Sequence, residues 1–181
     1  MKDLAIIIVS YNTKDLLDQC LNSIYKHTRN IDFEIIVVDN NSQDSTKEMI
    51  NKKYPNVYLI ENNKNIGYGK ANNQGMEKAD AKYYCLLNSD TYIHSNIFKK
   101  MFDFMQENNN IDVLGPKLLS QNAHDQRSAG KDYTLFNVFI MLFGGDSILR
   151  TAPKRTKKVD WIMGACFMLK SKVFEKTKGF D

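Results

Sequence analysis

Four times in the first 115 residues, a short run of apolar and β-branched residues stops at small polar side chains and gives way to residues spaced for one helix face. The first run, Leu4-Ala5-Ile6-Ile7-Ile8-Val9, holds no polar residue, as a strand buried on both faces requires. It ends at Ser10-Tyr11-Asn12. Thr13 then stands where a helix cap belongs, Asp15 falls in the positive first turn, and Leu16, Leu17, Cys20, Leu21, Ile24 and Tyr25 recur along one face. The cycle repeats with strands at 33–38, 57–60 and 83–87 and helices near 45–54, 71–79 and along Ile97, Phe98, Met101, Phe102 and Met105. Val113-Leu114-Gly115 reads as a fifth strand. Strands and helices in alternation need crossover connections, which are right-handed, so the expected class is α/β with a mostly parallel sheet covered on both faces.

Downstream the pattern weakens. Residues 117–134 are expected to be irregular, 135–149 to form a packed helix, 161–169 a last strand, and 171–178 a short helix ended by Gly179. A length of 181 residues suits one domain, and 43% hydrophobic residues is too apolar for a disordered chain. Cys20, Cys85 and Cys166 lie far apart without a Cys-x-x-Cys pair, which argues against a zinc ribbon or disulfide scaffold and fits a reducing, cytoplasmic setting. No run approaches the ~20 apolar residues of a membrane span, and no export leader is expected. The net charge of +4 is unevenly spread, with nine Lys/Arg against three Asp/Glu in residues 150–181. Arg150, Lys154, Arg155, Lys157 and Lys158 crowd one segment, either a solvated loop or a face for an anionic partner such as a phosphate or a lipid surface. Nucleic acid is not among the expected partners.

In an open parallel sheet, ligands bind beyond the carboxyl ends of the strands. Those ends are polar here: Ser10-Tyr11-Asn12, Asp39-Asn40-Asn41, the stretch 62–69, and Asn88-Ser89-Asp90. Any one of them can be a cap or a turn; the argument rests on all four together. A phenol, a carboxylate and several amides suit a nucleotide, with Tyr11 against a base and Asp39 accepting from a ring imide N–H or a ribose hydroxyl. Asp90 suits a divalent cation, Mg²⁺ or Mn²⁺, held through a carboxylate and the ligand's own phosphates. Gly67 and Gly69 permit either positive φ in a turn or close approach of backbone to ligand. The chain lacks Gly-x-Gly-x-x-Gly after the first strand, a Gly-Lys-Ser/Thr phosphate loop and a Gly-x-Ser-x-Gly elbow, and its histidines, His27, His94 and His124, show no metal-ligand spacing. Dehydrogenase, phosphate-loop and hydrolase readings are thereby disfavoured.

The ordered motifs Ile8-Val9-Ser10-Tyr11-Asn12, Val37-Val38-Asp39-Asn40-Asn41-Ser42, Asn65-Ile66-Gly67-Tyr68-Gly69-Lys70-Ala71-Asn72-Asn73, Leu86-Leu87-Asn88-Ser89-Asp90 and Trp161-Ile162-Met163-Gly164-Ala165-Cys166-Phe167-Met168 resemble the inverting family 2 glycosyltransferases, rhamnosyltransferase-type members above all. The resemblance implies a GT-A fold, a Rossmann-like three-layer sandwich in which 1–115 would bind the donor and 116–181 begin the acceptor half. It implies that Ser10, Tyr11 and Asp39 hold the base of a UDP- or dTDP-sugar, and that Asn65, Gly67, Lys70 and Asn73 shape the donor pocket. Asn88-Ser89-Asp90 would replace an Asp-x-Asp signature, with Asp90 alone on the metal. Trp161 and Gly164 would border a glycan or lipid-linked acceptor at the inner face of the membrane. The family's base lies in an acidic pair shortly after the segment Gly179-Phe180-Asp181, so the expected base is absent and Asp181 is a poor substitute for it. A non-catalytic nucleotide-binding module and a nucleotidyltransferase are the alternatives, the latter lacking its basic glycine-rich segment here.

Overall fold

The computed structural model describes residues 1–143, 145 and 149–181. Two compact units are present, one of Met1–Leu114 with Gly164–Asp181 and one of Gly115–Met163.

The first unit follows the expected alternation: β1 (Lys2–Ser10), α1 (Lys14–His27), β2 (Phe33–Asp39), α2 (Thr46–Lys53), β3 (Tyr58–Glu61), α3 (Tyr68–Lys78), β4 (Ala81–Asn88), α4 (Ile97–Glu107) and β5 (Val113–Leu114). The second unit carries β6 (Ala129–Gly130), α5 (Leu135–Leu142), β7 (Arg150–Thr151) and β8 (Trp161–Ile162); β9 (Cys166–Lys170) and α6 (Ser171–Thr177) return to the first. The main sheet runs β3-β2-β1-β4-β9-β5. Its first four strands are parallel, and β9 is antiparallel to both its neighbours. The sheet is therefore mostly parallel, as expected, with one reversed strand that the sequence pattern did not disclose.

Side chains alternate across the sheet. Ala5, Ile7, Ile36, Val38, Tyr84 and Leu86 share a buried cluster with Ala71 and Met76 of α3, and Phe174 of α6 packs edge-on against Tyr84. The opposite face presents Leu4, Ile6, Ile8 and Tyr83; Tyr83 meets Phe102 of α4 edge-on, and Leu17, Cys20, Leu21 and Ile24 of α1 are fully buried. Leu4 through Ile8 have no solvent exposure at all, which is why this strand needs an unbroken apolar run. In the smaller unit, β6 lies between β7 and β8, antiparallel to both.

Four expectations change. The strand expected over 161–169 is two strands in different units: between them the Gly164 carbonyl turns to the Tyr68 hydroxyl, and the Ala165 carbonyl, accepting the Asn88 N–H, already extends the pairing of β9 with β4. The stretch 117–134, expected to be irregular, contains β6, whose two residues are too short to show a period. Helix α3 starts at Tyr68, not near Ala71: Gly67, at φ +89, turns the chain, and its carbonyl accepts the first helical bond from Ala71. The helix expected over 135–149 ends at Leu142, while 144 and 146–148 lie outside the described residues.

Close helix–sheet contact depends on Gly75, where an added methyl would collide with Ile7 Cγ2 and crowd Ile7 Cγ1. Ile7 is fully buried in the sheet and cannot yield cheaply. Gly75→Ala, although it improves helix propensity, is expected to lower stability by about 1–2 kcal/mol, overpacking outweighing the propensity gain. A lower urea midpoint at unchanged slope is the expected readout.

Candidate functional site

Strand register assembles the site. Ser10 pairs level with Asp39, Val9 with Asn88, and Asp39 with Glu61, so the polar ends of β1, β2, β3 and β4 meet at one edge of the sheet. Beside that edge opens a cleft of about 320 Å³ lined by Val9, Tyr11, Thr13, Leu16, Asn40, Asn65, Tyr68, Asn88, Ser89 and Asp90. The structure thus brings together Tyr11, Asn65, Asn88, Ser89 and Asp90 of the residues singled out from sequence. Tyr11 is half exposed at 49%, and Asp90 is exposed.

Ser10 and Asp39 are fully buried beside the cleft, not in its wall. Asp39 Oδ2 accepts the Ser42 N–H at 3.0 Å, while Oδ1 finds no hydrogen-bond partner among the described residues. A buried carboxylate oxygen left unpaired is costly, on the order of 1–3 kcal/mol or more. The neighbouring loops are latched: the Asn12 N–H donates to Ser42 Oγ at 2.9 Å, and the Gln43 N–H to Asn12 Oδ1 at 2.8 Å.

Thr13 corrects the sequence reading. It occupies the cap position of α1 but makes no capping bond. Its hydroxyl instead pairs with Ser10 Oγ at 3.0 Å and donates to Ser89 Oγ at 3.0 Å, joining the ends of β1 and β4. The cap comes from outside the helix, where Asp44 Oδ2 accepts the Lys14 N–H at 2.9 Å and Oδ1 accepts the Thr46 hydroxyl at 2.6 Å. Burial opposes the Asp44 charge, yet these bonds outweigh it and hold the carboxyl below its ordinary range.

Other expected residues fall elsewhere. The Gly67 N–H donates to Asn65 Oδ1 at 2.9 Å, which fixes the turn into α3. Lys70 is exposed on α3 and is not in the cleft wall. The amide of Asn73 is consumed by the chain near its end, donating to Phe180 O at 2.8 Å and accepting the Phe180 N–H at 2.9 Å, so Asn73 does not line the cleft. Gly164 is not in the cleft wall, though its carbonyl accepts the hydroxyl of Tyr68, a wall residue, at 3.0 Å. Trp161 belongs to the second unit, stacked on Tyr133 with its indole N–H donating to Lys131 O at 2.8 Å. Asp181 is exposed, its carbonyl near Gly69. Thr13, Asn40 and Tyr68 are wall residues that sequence reasoning passed over; all three sit within or beside the quoted motifs, and that position was the available signal.

Among the described residues no group of three metal-ligating side chains exists, and Asp90 is the one acid of the cleft wall. A single exposed carboxylate fits Mg²⁺ or Mn²⁺ when phosphate oxygens supply further ligands, the usual way these hard cations are held.

A mostly parallel sheet with a reversed strand, whose carboxyl edge gathers amides, hydroxyls and one free carboxylate around an open cleft, defines the GT-A class of glycosyltransferase fold. The family model for glycosyl transferase family 2 matches residues 5–177, and the chain belongs to that family. It is 37% identical over 117 residues, 62% of its length, to a poly(ribitol-phosphate) beta-glucosyltransferase of Bacillus spizizenii, spanning 18% of that protein. It is 30% identical over 129 residues, 68% of its length, to the poly(ribitol-phosphate) beta-N-acetylglucosaminyltransferase TarS of Staphylococcus aureus, spanning 22% of it. Residues 1–349 of S. aureus TarS in complex with UDP-GlcNAc superimpose with TM-score 0.68 at 22% identity, covering 97% of this chain and 47% of that one. The mannosyltransferase PcManGT of Pyrobaculum calidifontis, in complex with GDP-Man and Mn²⁺, gives TM-score 0.70 at 17% identity, covering 100% and 50%. The chain spans half or less of each of these proteins.

Asp44→Ala removes the external cap of α1 and is expected to cost about 0.5–2 kcal/mol at neutral pH. Because the folded carboxyl titrates below its unfolded value of about 3.9, its contribution is fully present above that pH and is lost as pH falls through the folded value. Urea titrations of both proteins should therefore differ most near pH 7 and converge in acid.

Proposed function

We propose that this chain is the donor-binding part of an enzyme that transfers a sugar from a nucleoside diphosphate to a glycan or lipid-linked acceptor, with inversion, at the cytoplasmic face of the membrane. The supporting observation is the shared edge of β1, β2 and β4, where Asp39 Oδ1 waits unpaired beside a cleft that carries Tyr11 at its rim and Asp90 in its wall.

In this reading residues 1–115 bind the donor and 116–181 begin the acceptor side, bordered by Trp161 and Gly164. Tyr11 lies against the base, and Asp39 accepts a ring N–H; since Asp39 is closed to solvent, the loop of Ser42 and Gln43 must part from Asn12 for the base to enter. Asn65, with Gly67 behind it, and Asn88 meet ribose and sugar hydroxyls, and Ser89 keeps the β4 turn in place. Asp90 would hold Mg²⁺ or Mn²⁺, which when bound supplies positive charge to the leaving diphosphate. The acceptor hydroxyl attacks the anomeric carbon opposite that leaving group and gives its proton to a base. With Asp90 turned to the diphosphate, that base comes from outside the cleft wall. The relatives solved with UDP-GlcNAc and with GDP-Man and Mn²⁺ favour a nucleotide-sugar donor, and the UDP- and dTDP-linked donors are those to test first.

Calorimetry with UDP, dTDP and GDP, with and without Mn²⁺, should detect nucleotide binding that the cation strengthens. Asp39→Asn should weaken binding about 10- to 100-fold, the worth of a hydrogen bond to a charged group. Asp90→Ala should abolish the effect of Mn²⁺ while leaving circular dichroism unchanged. Absence of nucleotide binding to the wild type, or two variants that bind as it does, would overturn the reading.

A further inference from the structure

We infer that the second unit carries a docking surface for anionic phospholipid headgroups, formed by α5 and the basic segment that joins β7 to β8. The inference deepens the proposed function by naming the surface that meets the membrane, and rests on that reading for its setting.

Leu135, Val138, Phe139, Leu142 and Phe143 recur at i, i+3, i+4, i+7 and i+8, the stripe that an amphipathic helix turns toward a core. Here that stripe faces water: Leu135 is 92% exposed, Leu142 78% and Phe143 76%, with Val138 and Phe139 also exposed. Phe139 and Phe143 are in ring contact at 4.6 Å, forming one apolar ridge. The other side of the helix is the engaged one, with Asn137 donating to Asp132 O at 2.6 Å and Ile140 packed where Gly145 passes. A ridge of this kind, left open on a soluble surface, marks a site of association.

Charge selects the partner. From Arg150 to Lys158 the chain carries five Lys/Arg and no acid. Lys154, Arg155, Lys157 and Lys158 are exposed, and among the described residues none of these four is in an ion pair. The topology brings this segment to the root of α5. Gly130, where β6 ends and the chain leads into α5, is paired with both Arg150 and Trp161, and its carbonyl accepts the Asp160 N–H at 3.0 Å. The Arg150 guanidinium donates to the Tyr133 hydroxyl at 3.3 Å, two residues before the helix. Apolar side chains that enter the acyl boundary, with cations beside them at phosphate depth, are the two components of interfacial binding.

Flotation of the full 181-residue chain with vesicles of phosphatidylcholine, alone or mixed with phosphatidylglycerol, tests this. Binding is expected to the mixed vesicles only and to weaken with salt. Replacing Lys154, Arg155, Lys157 and Lys158 by Gln should reduce it by about fivefold per cation removed. Phe139→Ser with Leu142→Ser should reduce it by about tenfold or more. Nucleotide binding, measured by calorimetry on the same preparations, should be unchanged in both variants, so a failure of the donor cleft is distinguishable from a failure of this surface. Lack of flotation with mixed vesicles at low salt, or flotation indifferent to both variant sets, would overturn the inference. So would self-association in sedimentation velocity that the Ser variant abolishes while the wild type leaves vesicles unbound, since a second copy would then be what covers α5.

Discussion

Everything at the candidate site depends on the register of three parallel strands. Ser10 on β1 is level with Asp39 on β2, and Val9 is level with Asn88 on β4. A slip of one residue in either pairing would turn the polar ends to the opposite face and carry apolar residues into the cleft, since side chains alternate strictly along a strand. The register is enforced where no ligand acts. Leu4 to Ile8, Ile35 to Val38 and Cys85 to Leu87 are almost wholly buried, and a shift would expose or misplace all of them at once. Core packing therefore sets the geometry of the polar edge.

The order of strands and helices in the first 115 residues was legible because its main elements are long enough to show their period: β1, β2 and β4 as apolar runs, α1 and α4 as stripes, with only β5 as short as two residues. What escaped was short or non-local. β6, β7 and β8 have two residues each, and two residues carry no periodicity. The split between β8 and β9 hinges on the Tyr68 hydroxyl reaching Gly164 across 96 positions, which no local pattern encodes. The same holds at the site. Strand-end position found Tyr11, Asn88 and Asp90, because topology alone puts them there. The resemblance also implied Asn73, whose amide is bound by Phe180, and the helix pattern read Thr13 as a cap when a side chain 31 residues away, Asp44, performs that task.

The reassignment of Thr13 has a structural consequence. A helix N-terminus leaves backbone donors that need acceptors, and a threonine at the cap normally supplies one. With Asp44 supplying it instead, the Thr13 hydroxyl is released to link Ser10 and Ser89. Three hydroxyls, at the end of β1, just before α1 and just after β4, form one hydrogen-bonded chain at the cleft.

That turn is held from two further directions. The Asn88 N–H donates to Ala165 O at 2.9 Å, tying it to the segment before β9. The Cys20 thiol contacts the Asn88 carbonyl at 3.8 Å, and Cys85 and Cys166 are buried as well. Burial, with Cys166 and Asp90 nearby, pushes the Cys20 thiol up to about 12, and a hydrogen bond to Cys166 together with burial raises Cys85. Cys20 and Cys85 therefore stay protonated near neutral pH and serve as compact packing, not as nucleophiles. With the Asn88 backbone and the Ser89 hydroxyl engaged, the triplet presents the Asn88 amide and the exposed Asp90 carboxylate to the cleft. A fixed backbone that presents an exposed carboxylate costs little reorganisation when a ligand arrives.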